Sequence, residues 1–318
     1  MQKGEDYDLL YDRADQYAGE GRIEKAIDLY KQLLVAYPYD DSLIISMAWA
    51  YRDSGDTGKA IGCLEGLLER ELMRDVFTGF AYDELVRMFR ETGDNKRLID
   101  LCEKVAAVQP GDAALLATLG ESCLRVGKNE RAIEVFEMLI SMEPDSLSYF
   151  CRLGSACVAA GDFDRAEIAY EEARRIEPGD SGVLFNRLGN AYAQVGAYER
   201  AEAALEKSLN AKADEPLYNC NLGDVYIKQG KIEAARKSYE NAGLIDNSSR
   251  GVYFNRLGNS LSRAGFYGDA IRAYEEAINA EPNNRFYYVS HSEACIKAGW
   301  PERVTLFYEQ VKSRGILS

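Results

Sequence analysis

Apolar residues along the chain recur at helical rather than strand spacing. In the stretch 184–195, Leu184, Leu188, Ala191, Tyr192 and Val195 fall on one side of a 3.6-residue helix, with polar residues between them. Gly196 interrupts the pattern, and a second amphipathic run, Tyr198–Leu209, follows. The same two-helix unit returns along the whole sequence. Its interrupting glycine stands at Gly21, Gly55, Gly93, Gly127, Gly161, Gly196, Gly230, Gly265 and Gly299, at intervals of 34, 38, 34, 34, 35, 34, 35 and 34 residues. A fixed period of this length predicts an all-α solenoid, in which each unit buries its apolar face only against its neighbours.

With the glycine at position 15, units start at residues 7, 41, 79, 113, 147, 182, 216, 251 and 285. Position 8 is mostly small: Ala14, Ala48, Gly120, Gly154, Gly189, Gly223 and Gly258 among them. Position 20 is small as well, as in Ala132, Ala166, Ala201, Ala235 and Ala270. Position 24 is large, as in Phe136, Tyr170, Leu205, Tyr239 and Tyr274. Small residues at 8 and 20 let two helices approach closely, and the large residue at 24 fills the space between layers. Glycine at 15 suits the left-handed residue that ends the first helix, and proline at Pro38, Pro110, Pro144, Pro178 and Pro282 follows the second.

Phe185–Gly196 (FNRLGNAYAQVG) and Tyr198–Leu209 (YERAEAALEKSL) resemble the consensus of the tetratricopeptide repeat, and the resemblance extends over residues 7–318. It implies a single right-handed superhelical solenoid of nine helix-turn-helix units. First helices would line its concave face, which in this family usually holds a peptide or a partner's segment. The 38-residue interval is the irregular one. Four extra residues, Asp75–Thr78, precede the third unit, where Val86 and Leu98 replace the small residues. A lengthened second helix and a hinge near 75–79 are the two readings. Ser181 and Arg250, the single extra residues, read as loop insertions.

Composition narrows the function. A formal net charge of -14 lacks the basic footprint that a nucleic-acid backbone requires. Met1–Leu10 has no apolar signal core, and seven cysteines without metal-ligand spacing accord with a reducing cytoplasm. The single histidine, His291, has no partner for a metal site, and no phosphate-binding loop accompanies the glycines. No cofactor is expected. Cys102, Cys123, Cys157 and Cys295 occupy core positions of the unit, whereas Cys151 and Cys220, at position 5, are expected to reach the groove.

The family resemblance assigns positions 2, 5, 6, 9, 12 and 13 to the concave face. There the first four units carry eight carboxylates against four arginines. The last five reverse this, with Arg152, Arg187, Lys228, Arg256, Arg263 and Lys297 against Asp224 and Glu293. Asparagines gather in the same half at Asn186, Asn190, Asn221, Asn255 and Asn259. Amides can hold an extended backbone, and arginine can pair with a carboxylate. Asn190, Asn221 and Arg256 also match positions of the family's carboxylate clamp, but Asn186 and Val252 stand where it has lysines.

The sequence therefore predicts a non-catalytic interaction scaffold or assembly factor that holds an extended, acidic segment of a protein partner in units five to eight. A regulatory subunit of an enzyme encoded elsewhere is one alternative. Trp49, with Tyr11 and Ile45, is a candidate aromatic anchor. Leu306 and Phe307 in the last helix give the other alternative, a structural protein that self-associates through its ends.

Overall fold

The computed structural model describes residues 5–313 except Asp75. Among the described residues there are eighteen α-helices and no strand. The chain divides into two compact units, residues 1–135 and 136–318. The first contains α1 (Glu5–Gly19), α2 (Ile23–Ala36), α3 (Asp41–Asp53), α4 (Thr57–Met73), α5 (Phe80–Thr92), α6 (Asn95–Ala106) and α7 (Ala113–Arg125). The division falls inside α8 (Asn129–Met142). The second then runs through α9 (Leu147–Ala160), α10 (Phe163–Ile176), α11 (Ser181–Gln194), α12 (Tyr198–Ala211) and α13 (Pro216–Lys228). It ends with α14 (Ile232–Ile245), α15 (Arg250–Arg263), α16 (Tyr267–Ala280), α17 (Arg285–Lys297) and α18 (Glu302–Ser313).

Within each unit every helix packs on the next in sequence. In the second unit the odd-numbered helices α9 to α17 also lie side by side. This is the all-α helix-turn-helix stack that the periodicity predicts, with first helices beginning within two residues of each predicted start. All nine interrupting glycines adopt φ between 70° and 86°. Gly161 shows why: it closes α9, its amide donates to the Val158 carbonyl at 3.0 Å, and the Asp162 amide turns back to Cys157 at 2.9 Å. A Cβ on Gly161 would meet nothing within 4 Å, so only the backbone conformation resists substitution. Gly161→Ala is expected to lower stability by about 1 kcal/mol, with Gly161→Asn milder, in urea unfolding curves. Equal midpoints for the native chain and Gly161→Ala would show that the left-handed turn is not required.

Close helix approach is the second device. A Cβ added at Gly154, Gly223 or Gly258 would lie 2.5–2.7 Å from the ring of Tyr170, Tyr239 or Tyr274, and one at Gly189 2.6 Å from Leu205. The alanines at position 20 in these pairs, Ala166, Ala201, Ala235 and Ala270, are fully buried. Positions 8, 20 and 24 thus form one repeated contact.

The irregular intervals have local solutions. After the 17-residue α4, the Val76 amide bonds to the Glu71 carbonyl at 3.0 Å and the Thr78 hydroxyl donates to the Glu71 carboxylate. Phe77 then meets Tyr82 edge-on, and left-handed Gly79 opens α5. Ser181 and Arg250, expected in loops, are instead the first residues of α11 and α15. Each follows a 3-10 turn, Pro178–Asp180 or Asn247–Ser249, that displaces the helix start. In the second turn the Asp246 carboxylate accepts from the amides and hydroxyl of the serine pair and from Tyr253. Those bonds hold its carboxyl down at about 2.

Candidate binding cleft

In the second unit, α9 and α11 lie side by side and open a cleft of about 480 Å³ between them. The α9 wall consists of Ser148, Cys151, Arg152, Ser155, Val158 and Ala159, which are positions 2, 5, 6, 9, 12 and 13 of the repeat. Arg187, Asn190, Ala191 and Gln194 form the α11 wall, and Tyr170 of α10 lines the cleft as well. The Tyr170 hydroxyl meets the Ser155 hydroxyl at 3.0 Å. The positions assigned to the concave face by family resemblance therefore line a real cavity here.

Its chemistry is one-sided. Arg152 and Arg187 both line it, and no carboxylate does. Arg187 is exposed and has no ion pair among the described residues. Beside it Cys151 is buried, which corrects the expectation of an accessible thiol. Burial pushes the Cys151 thiol up, partly offset by the adjacent Arg187 guanidinium. Such a site offers forked donors and amides to an anionic or peptide group, with no nucleophile ready to react.

The rest of the asparagine row is already occupied. Asn186 and Asn221 are each 9% exposed, and Asn221 Nδ2 donates to Asn186 Oδ1 at 2.9 Å. Asn221 Oδ1 in turn accepts from Arg256 at 2.8 Å. Arg256 also pairs with Asp224 at 2.7 Å, and Asp224 accepts from Tyr239 and Ser260 at 2.7 and 2.6 Å. Adjacent first helices bring these side chains together, so they satisfy one another before any ligand arrives. Asn259 accepts from Tyr274 at 2.9 Å, while the buried Asn255 carbonyl oxygen has no partner among the described residues. Only Asn190 of the row lines the cleft. Lys228 and Arg263 are exposed farther along the same face.

The other candidates are placed as follows. Tyr11 is half-buried, stacked on Tyr7 and bonded to Ser46 at 2.9 Å, and Ile45 is half-buried too. Trp49 remains 43% exposed with its ring edge-on to Phe80. Phe307 turns inward against the His291 ring, 4.6 Å between centroids, whereas Leu306 points outward. Cys220 is buried like Cys102, Cys123, Cys157 and Cys295, so position 5 of α13 is a packing position, and the expectation that this thiol reaches the groove is corrected. No cluster of metal-ligating side chains exists among the described residues, and no described helix is long and apolar enough to cross a membrane.

A second cleft, about 610 Å³, lies between α10 and α12 above Phe185, Leu188 and Tyr192 of α11. Ile168, 62% exposed beside Glu171 and Glu172, was the signal that could have marked it.

Four family models, each described as a tetratricopeptide repeat, match the chain. They cover residues 8–38, residues 117–181 and 255–290, residues 158–219, and residues 217–248. No curated protein sequence matches it. Among solved structures, the MamA protein is similar at 23% identity and a TM-score of 0.42, over 54% of this chain and 93% of that one. The Cut9–Hcn1 hetero-tetramer of the APC/C aligns over 96% of this chain and 72% of that chain, with 16% identity and a TM-score of 0.40. YrrB, a TPR protein with an unusual peptide-binding site, aligns over 58% and 95% at 16% identity and a TM-score of 0.35.

Proposed function

Because the chain belongs to the tetratricopeptide-repeat family, we propose that it is a non-catalytic interaction module whose α9–α11 cleft holds an extended acidic segment of a partner protein. The observation that carries this reading is Arg187: an exposed guanidinium with no ion pair among the described residues, beside Arg152 in a cavity that no described carboxylate lines, on a chain of net charge -14. Two guanidinium groups in a cleft that no described carboxylate lines give an acidic chain a local field opposite to its overall charge. Asn190, Gln194 and Ser148 line the same cavity and can serve a partner's backbone amides and carbonyls while arginine engages its carboxylates.

Arg256 has a different part. Its charge is answered by Asp224, so it ties α15 to α13 and does not supply a free cation. The discriminating variant is therefore Arg187→Glu alone. Labelled extended peptides, one rich in glutamate and one with glutamine in its place, provide the probe by fluorescence anisotropy. The glutamate peptide is expected to bind the native chain more tightly. Arg187→Glu should weaken it by roughly tenfold, about 1.4 kcal/mol, because the site is partly solvated. If Arg187→Glu left the affinity for the glutamate peptide unchanged, this cleft would not be the acidic-segment site.

A further inference from the structure

The cleft between α10 and α12 departs from the pattern of the other units. Position 22, on the outer side of the second helix, is charged and exposed at Asp28, Asp100, Glu134, Lys237 and Arg272. The two helices that wall this cleft carry Ile168 and Ala203 there instead, both exposed. Half-buried Phe185 and buried Leu188 and Tyr192 make the floor apolar as well.

The rim is charged, with the signs divided between the walls. Four carboxylates, Asp164, Glu167, Glu171 and Glu172, line the α10 side, and Arg200 and Lys207 line the α12 side. Glu167 accepts from Arg200 at 2.8 Å across the cleft. Glu171 pairs with Arg174, and Glu172 with Arg175, the one cation lining that wall. Asp164, near the start of α10, and Lys207, toward the end of α12, have no ion pair among the described residues. Lys207 lies over the Phe185 ring, 5.7 Å from its centroid. Glu167 faces Arg200 and Glu171 feels Lys207, so α10 and α12 run in the same direction. The two unanswered charges are thus opposite in sign and stand at opposite ends of an apolar slot. The described lining has no amide, and its only hydroxyls, on Tyr170 and Tyr192, are engaged by Ser155 and Glu167. The α9–α11 cleft, by contrast, offers Ser148, Asn190 and Gln194.

We infer that the α10–α12 cleft seats an amphipathic α-helix of a partner protein. An extended chain would leave its backbone N–H and C=O groups without neutral partners here, whereas a helix satisfies its own. From Asp164 to Arg175 the α10 wall runs about 16 Å, which matches three turns of a guest. Apolar residues at i, i+4 and i+7 of the guest insert between Ile168 and Ala203. A cation of the guest meets Asp164 and an anion meets Lys207. Helices favour acidic residues in the first turn and basic ones in the last. A guest of that kind meets both charges when it runs antiparallel to α10 and α12. Apart from the buried Tyr170, the two clefts share no lining residue, so this site does not depend on the acidic-segment reading.

The probe is an alanine-based peptide of about 16 residues, long enough to form a marginal helix. It carries leucines at i, i+4 and i+7, glutamates in the first turn and lysines in the last. A second peptide has a central proline, which breaks the helix, and a third exchanges the glutamates and lysines. Binding to the full chain is read by fluorescence anisotropy. The first peptide is expected to bind saturably and more tightly than the proline peptide. Ile168→Lys should weaken it by roughly tenfold or more. That variant keeps the fold, because Lys237 already occupies the same position in α14, and circular dichroism checks it. Asp164→Lys with Lys207→Glu should shift the ratio of the first and third affinities toward the third; the ratio cancels differences in peptide helicity. Absence of saturable binding, or binding indifferent to Ile168→Lys, would overturn the inference. An unchanged ratio in the double variant would do so too, since the two end charges would then select nothing. Equal affinity for the proline peptide would assign the cleft to an extended chain. Sedimentation showing a dimer that Ile168→Lys dissolves would assign it to a second copy, and either result overturns the partner helix.

Discussion

Gly258→Val is expected to lower the stability of the α15–α16 pair by about 3 kcal/mol, near the upper end for overpacking a filled core. A Cβ at this position would sit 2.5, 2.6 and 2.9 Å from three atoms of the Tyr274 ring. That ring is 2% exposed, and its hydroxyl donates to Asn259 at 2.9 Å, so it cannot swing away without losing both packing and a hydrogen bond. Valine adds two further methyl groups to the same contact. In a stack whose members touch only their neighbours, the damage should concentrate locally. Hydrogen exchange should accelerate most in α15, α16 and the adjoining α14 and α17, with residues 5–60 unchanged. Gly62→Ala is the control: it lies inside α4 with nothing within 4 Å of the added carbon, so helix propensity should make it neutral or stabilising by up to about 1 kcal/mol. If Gly258→Val unfolded at the same urea concentration as the native chain, the close approach of positions 8 and 24 would not be a stabilising contact.

What the sequence revealed, and what it hid, divides along the same physical line. Helix starts, the left-handed glycines and the contact of positions 8, 20 and 24 depend on residues within one unit, and a period of 34 residues repeats that information many times. The positions lining the α9 wall follow from the same register. What was hidden lies between units. Asn186 and Asn221 are 35 residues apart, each a reasonable peptide-binding amide alone, and only the packing of α11 on α13 shows that they bond to each other. Cys151 and Cys220 looked accessible because position 5 faces the concave side. The next first helix covers them, and a single unit's helical wheel does not contain that helix. Ser181 and Arg250 were misplaced because a 3-10 turn and a loop have the same residue count. The cleft between α10 and α12 was missed for a related reason, since charged residues at its rim masked the apolar side chains beneath.

The polar network beyond the cleft leads to the second large effect, and it separates architecture from recognition. Asp224→Ala removes the acceptor shared by Arg256, Tyr239 and Ser260. Tyr239 is fully buried, and its phenol is pushed up by burial and then by the Asp224 charge, so it remains a donor in need of a partner. Breaking a fully buried ion pair costs several kcal/mol; here both side chains are about one-third exposed, which reduces the expected loss to about 2 kcal/mol. Asp224→Asn should cost less, since the amide oxygen still accepts from one donor. Adding Arg256→Met to Asp224→Ala should recover part of the loss, because the guanidinium left without its carboxylate is removed with it. Urea unfolding of the two single variants and the double variant measures that coupling directly. Strict additivity, or a loss below about 0.5 kcal/mol for Asp224→Ala, would mean that water already replaces the network. The glutamate peptide should still bind the double variant, because Arg187 and Arg152 are untouched on the cleft walls. A large loss of that affinity with the fold intact would move the recognition site from the α9–α11 cleft to Arg256.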